Sequence, residues 1–123
     1  MATYYIDPTA AGAGTGTFVD PWQSWASVTW YYQQGHTYLQ KEGTVFTGAV
    51  VCSNPGLANA RIYIGTYSAA DGSIVTDPAR RARIVGAGTT GTALAINPAG
   101  IRNYIDVCNL HLVGASSGTE KLG

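Results

Sequence analysis

The alternation of apolar and polar positions is clearest in Arg61-Ile62-Tyr63-Ile64-Gly65-Thr66-Tyr67. Period-two alternation of this kind predicts a half-buried strand. The motif returns as Ala82-Arg83-Ile84-Val85-Gly86 and as Tyr104-Ile105-Asp106-Val107, with steps of 22 residues from Ile62 to Ile84 and 21 from Ile84 to Ile105. Each return follows a turn rich in Gly, Pro, Asn or Thr, and so near-constant a spacing predicts a solenoid. Leu94-Ala95-Ile96 falls about half a period after Ile84, so each coil is expected to hold more than one strand. The expected fold is all-β: a parallel β-helix of about three coils.

Upstream, Tyr4-Tyr5-Ile6 reads as a short strand stopped by Asp7-Pro8, and residues 9–17 as a loop too poor in apolar residues to order itself. The loop's Gly12, Gly14 and Gly16 are followed by neither a Lys nor an immediate helix start, which argues against a phosphate cradle. Asp20-Pro21-Trp22-Gln23 has the order of a helix start, with an acidic cap, Pro at the first position and Gln able to reach back. A helix is expected from there to about Gln34, closed by Gly35. Trp22, Trp25, Ala26 and Thr29 would share one face, with Trp30 and Tyr32 flanking it. Its propensity is poor, since residues 28–32 are β-branched or aromatic. Such a helix is expected to survive by docking on the open end of the solenoid, where it would block strand addition. The tryptophans therefore read as cap packing in preference to sugar stacking.

From His36 onward the pattern is strands and turns: Thr37-Tyr38-Leu39, a turn at Lys41-Glu42-Gly43, Thr44-Val45-Phe46, and Ala49-Val50-Val51-Cys52. Residues 69–73 with Asp77-Pro78 form a longer excursion, residues 86–91 and 97–100 mark turns, and Asn109 marks a corner before Leu110-His111-Leu112-Val113. The chain divides into residues 1–36, the strand, Gly-rich loop and capping helix, and residues 37–123, the first coils, with the solenoid expected to be cut at its C-terminal end or covered there by another subunit.

Composition narrows the function classes. With 123 residues, 11% of them charged and seven basic side chains against seven acidic, there is no electrostatic case for nucleic acid or an anionic membrane. Sixteen Gly, eight Tyr and three Trp against a single Met suit an all-β chain with tight turns. No apolar run approaches the roughly 20 residues of a membrane helix. No basic-then-apolar leader opens the chain, so folding in a cytoplasm is expected. Cys52 and Cys108 lack metal-site spacing and are expected to be buried free thiols rather than a disulfide.

If Ile62, Ile64, Ile84, Ile105 and Val107 point inward, alternation sends Arg61, Tyr63, Arg83, Tyr104 and Asp106 outward. Stacked about 4.8 Å apart, these five form the candidate carbohydrate-binding face, because aromatic faces pack on sugar rings and Arg forks hold carboxylates. A glycosidase needs two facing carboxylates. Asp7, Asp20, Glu42, Asp71, Asp77 and Glu120 fall at turns, a cap or the tail, leaving only Asp106 on a repeated strand. His111 is isolated and reads as polar surface. No catalytic residue, cofactor or metal site is assigned.

These segments resemble the N-terminal part of right-handed parallel β-helix proteins of the pectate-lyase-like superfamily, which includes phage tailspikes and polysaccharide-degrading enzymes. The resemblance rests on Tyr4-Tyr5-Ile6-Asp7-Pro8, Pro21-Trp22-Gln23-Ser24, Gly35-His36-Thr37-Tyr38-Leu39, Gly43-Thr44-Val45-Phe46-Thr47-Gly48, the strand from Ile62 and the segment 103–110. His36 departs from it by replacing an acidic residue. The resemblance implies a structural segment of a tailspike or related surface-glycan protein, trimeric or joined to other virion proteins, made in a host cytoplasm and placed in the virion tail. The partner it implies is a bacterial surface polysaccharide. The alternative is part of a polysaccharide lyase or glycoside hydrolase, cytoplasmic or at the cell surface, contributing to a glycan cleft. A carbohydrate-binding β-sandwich would require antiparallel hairpins, for which Asp71-Gly72 is the lone candidate turn.

Overall fold

The computed structural model describes residues 2–30, 35–54, 56–86, 93–96 and 104–114. Among the described residues the chain forms nine strands: β1 Thr3–Ile6, β2 Thr37–Lys41, β3 Val45–Thr47, β4 Val50–Cys52, β5 Ile62–Tyr67, β6 Ala82–Val85, β7 Leu94–Ile96, β8 Ile105–Val107 and β9 Leu110–Val113. They assemble into three sheets, ordered β1-β2-β5-β8, β3-β6-β9 and β4-β7. Every pairing of these strands is parallel. From β2 onward the chain visits the sheets in rotation, so β5, β6 and β7 stack on β2, β3 and β4 in the same order. The chain is all-β as expected, and its parallel pairing excludes an antiparallel sandwich among the described residues.

The 22-residue step has a different meaning from the one its regularity implies. Ile84 pairs with Phe46 and Leu112, while Ile62 pairs with Ile105, 43 residues further on. Ile62 and Ile84 thus stand on consecutive faces, in different sheets. The alternating motif marks one face of the fold because each face buries its own apolar row, and sequence spacing alone does not distinguish a face from a full turn.

Inward residues of all three sheets meet in one core: Ile6, Tyr38, Ile62 and Ile64 from the first, Ile84 from the second, Val50, Cys52 and Leu94 from the third. Each fully buried aliphatic side chain contributes about 1.5–3 kcal/mol. Corners are held by side chains. Thr66 Oγ1 donates to the Asn109 carbonyl at 2.7 Å and accepts from the Ala82 N–H at 3.0 Å. Asn109, at φ 51, donates through Nδ2 to the carbonyls of Val75 and Asp77 at 2.8 and 3.1 Å. Asn tolerates the left-handed region better than most residues, so the expected corner at Asn109 is present.

The expected capping helix does not form across residues 21–30; residues 31–34, like the turns at 87–91 and 97–100 and the tail 115–123, lie outside the described residues. In its place Trp22 runs parallel to Ile6, its N–H donating to the Tyr5 carbonyl at 3.0 Å while the Asp7 N–H donates to the Trp22 carbonyl at 2.8 Å. A helix would forfeit these bonds and the stacking of Trp22 on Tyr4, centroids 5.2 Å apart. What remains is a three-residue 3-10 turn, Trp25–Ser27, capped by Ser24, whose side chain accepts from the Ala26 N–H. Asp20 instead closes the preceding loop, its carbonyl accepting from the N–H groups of Thr15 and Gly16.

That loop is ordered, contrary to its composition, because it straps the free edge of β1. The Tyr5 N–H donates to the Gly16 carbonyl, and Gln23 donates to the Ala13 carbonyl through its N–H and to the Ala10 carbonyl through Nε2. Edge protection, expected from a helix, is thus provided by an extended strap. The tryptophans do pack inward: Trp25 is buried, and Trp22 and Trp30 lie against the core.

Candidate functional site

Four of the five candidate carbohydrate residues converge on the first sheet. Tyr63 on β5 and Asp106 on β8 are in register. Arg61, just before β5, forks onto Asp106, with Nε to Oδ2 and Nη2 to Oδ1 both at 2.7 Å, and its guanidinium lies 5.6 Å from the Tyr104 ring centre. Hydrogen bonding to Arg61 holds the Asp106 carboxyl below its ordinary value. The Tyr63 hydroxyl is pushed up to about 12 by burial and then by the neighbouring Cys108. Cys108 is exposed, not buried as expected, whereas Cys52 is buried as expected, and neither is in a disulfide. The fork that would hold a ligand carboxylate is filled by Asp106, so this cluster is a closed structural unit.

Arg83 stands elsewhere. It lies on β6 in the second sheet, in register with Val45 of β3 and His111 of β9. The three side chains project outward as an exposed row. Beside them the 3-10 turn Pro78–Arg80 is started by Asp77, whose carboxylate accepts from the Ala79 N–H. Together with Arg81, Pro78, Ala79 and the Gly43-Thr44 turn, this row encloses an open cleft of about 230 Å³.

The charges around the cleft are unevenly distributed. Among the described Lys and Arg side chains, Lys41 pairs with Asp7, Arg61 with Asp106 and Arg80 with Glu42. Arg81 and Arg83 have no acidic partner among the described residues, and both line the cleft. The nearest carboxylates are already engaged: Asp77 caps its turn, and Glu42 takes a two-point fork from Arg80 at 2.8 Å and the Ala69 N–H at 2.7 Å. Hydrogen bonding to Arg80, then to Ala69, holds Glu42 at about 2. The arrangement offers two guanidiniums and an imidazole against an apolar wall of Val45, Pro78 and Ala79. It can bind an anion and a nonpolar surface together.

Sequence reading singled out Arg83 but missed Arg81 and set His111 aside as polar surface. The signal lay in the Arg80-Arg81-Ala82-Arg83 run, which holds three cations while the nearest acid upstream, Asp77, caps a turn. The six described carboxylates all accept a hydrogen bond: Asp7 from Thr9, Asp20 from Thr15, Glu42 from Arg80, Asp71 from Ser73, Asp77 from Ala79 and Asp106 from Arg61. No cluster of three or more metal-ligating side chains occurs among the described residues, and no helix there is long and apolar enough to cross a membrane. Comparison with protein-family models, curated proteins and solved structures finds no match to this chain.

Proposed function

We propose that the chain is the first part of a right-handed parallel β-helix of the pectate-lyase-like type, serving as a non-catalytic, surface-glycan-recognising segment of a phage tailspike or related protein. The observation that carries this reading is the rotation of the chain through three sheets, with every strand stacked in parallel on its predecessor in the same sheet. A solenoid built this way presents outward residues in stacked rows, a common platform for extended polymers. The strap over β1 supports the assignment to the start of a solenoid, because it takes up the backbone groups on which an earlier coil would stack. A homotrimer or neighbouring virion proteins are the proposed assembly partners, and the virion tail the proposed location.

The test is retention of the full chain on a panel of immobilised bacterial capsular and lipopolysaccharide glycans, with product analysis of the same glycans in solution. Retention on at least one glycan without chain cleavage is the expected result. Cleavage would favour the alternative of a polysaccharide lyase or glycoside hydrolase, and absence of retention on every glycan would overturn the recognition role.

A further inference from the structure

We infer that the cleft between β6, β9 and the Pro78–Arg80 turn is a subsite for a sugar carrying an oxyanion group, a carboxylate or a phosphate, with Arg81 and Arg83 as its anion-binding residues. The inference deepens the glycan-recognition reading and rests on it for the sugar part. It starts from a count of charges among the described residues: three of the five Lys and Arg side chains are matched by carboxylates, and the two unmatched ones share this cleft. Two guanidiniums outside any ion pair of the described residues keep their hydrogen-bonding forks open to an anion, and the nearby Asp77 carboxylate, bonded to the Ala79 N–H, offsets only part of their charge. A guanidinium offers a planar fork suited to carboxylate or phosphate oxygens.

The remaining walls select against a bare ion. Val45 is 48% exposed and stands next to Arg83 in register, and Pro78 and Ala79 also line the cleft. A lining that mixes apolar side chains with hydrogen-bond donors suits a pyranose ring, whose C–H face packs on hydrocarbon while its substituents meet the donors. The cleft, about 230 Å³, falls below the about 300 Å³ at which drug-sized pockets begin. That space suits one substituted sugar residue, with the rest of a chain running along the outward row. The backbone of Arg83 is fixed independently of its side chain, its N–H donating to the Thr44 carbonyl at 2.9 Å and its carbonyl accepting from Gln40 Nε2 at 3.0 Å. Neutralising the side chain therefore leaves the sheet intact.

The experiment is a titration of the full chain, followed through the backbone amide resonances of Val45, Arg83 and His111, with glucuronate, glucose 6-phosphate, glucose and inorganic phosphate. Expected are shifts at these amides and binding of at least one anionic sugar about tenfold tighter than glucose and than inorganic phosphate. Arg83→Gln and Arg81→Gln should each weaken it about tenfold, whereas Arg61→Gln should not. Preference for glucuronate assigns a carboxylate, and preference for glucose 6-phosphate a phosphate. Equal affinity for glucose and both anionic sugars, shifts confined to other residues, or indifference to both cleft substitutions would overturn the inference. Inorganic phosphate binding as tightly as the phosphosugar would overturn its sugar part. The two readings fail separately: glycan retention that survives Arg81→Gln and Arg83→Gln removes the subsite and keeps glycan recognition. Anionic-sugar binding in the cleft without retention on any polysaccharide does the reverse.

Discussion

The indole N–H of Trp25 donates to Oε1 of Gln40 at 2.7 Å in a fully buried setting. Gln40 spends its two amide protons on the carbonyl and hydroxyl of Thr44 and on the carbonyl of Arg83, at 3.0–3.2 Å. One buried amide therefore joins the N-terminal cap, the turn after β2 and the strand that carries the cleft. Buried polar groups of this kind are stabilising while satisfied and costly once a partner is removed.

Gln40→Leu keeps most of the volume but orphans the Trp25 N–H and weakens the anchoring of Thr44 and Arg83. The expected loss is about 2–4 kcal/mol, read as a lower midpoint in urea unfolding. A change under about 0.5 kcal/mol would show that the network does not matter to stability.

Gly14 adopts φ 75, and a Cβ there would lie 1.8 Å from the Pro21 carbonyl oxygen. Gly14→Ala should cost roughly 2–3 kcal/mol unless the strap lets go. In either case hydrogen exchange at the Tyr5 and Asp7 amides, which bond to Gly16 and Trp22, should accelerate more than exchange in β5.

His36 is buried, its Nδ1 accepts from the Ala2 N–H at 2.8 Å, and burial lowers its pKa below 6.5. An imidazole thus provides the acceptor for the chain's second N–H. The unfolded chain takes up the proton more readily, so stability should fall as pH drops from 6.5 through the lower folded value. Melting temperature followed across this range should decline, and His36→Gln should flatten the decline.

Glu42 sits at about 2 when folded against 4.5 unperturbed. Its contribution is present above pH 4.5 and is lost as pH falls through about 2. Carboxyl carbon NMR titration should place the Glu42 midpoint near the lower value, and Arg80→Gln should move it most of the way back.

Tyr63 titrates at about 12 against 10.0 unperturbed, through burial first and then its contact with Cys108. The folded chain holds this proton longer, so stability is lost as pH rises from 10.0 through about 12. Tyrosinate absorbance compared between the parent and Tyr63→Phe should isolate the high transition, and Cys108→Ala should lower its midpoint.

The strands themselves were legible because their signal is local: Tyr4 to Ile6, Ile62 to Tyr67 and Leu110 to Val113 are rich in β-branched, aromatic and aliphatic residues between turn formers, although β5 proves buried on both faces from Ile64 to Tyr67. The Asn109 corner was legible for the same reason, since its short amide side chain favours a left-handed turn. The cap was misread because Asp20-Pro21-Trp22-Gln23 carries a helix start in its local chemistry, while the tertiary structure offers Trp22 a better place, bonded along β1 and stacked on Tyr4. The stride was misread because Ile62 and Ile84 look alike in sequence, and only the register, Ile62 with Ile105 and Ile84 with Phe46 and Leu112, shows which strands stack.

The candidate site divides along the same line. Alternation along the sequence identified Arg61, Tyr63, Arg83, Tyr104 and Asp106 as outward residues. That Asp106 fills the Arg61 fork, while Arg81, Arg83 and His111 are brought to one cleft with their acidic neighbours already engaged, was decided by long-range pairing. Sequence by itself determined which segments become strands and which face of each is apolar, because both follow from neighbours one or two residues apart. Which strands stack, what covers the edge and which charges stay unmatched depend on contacts between residues tens of positions apart, and those only the tertiary structure decided.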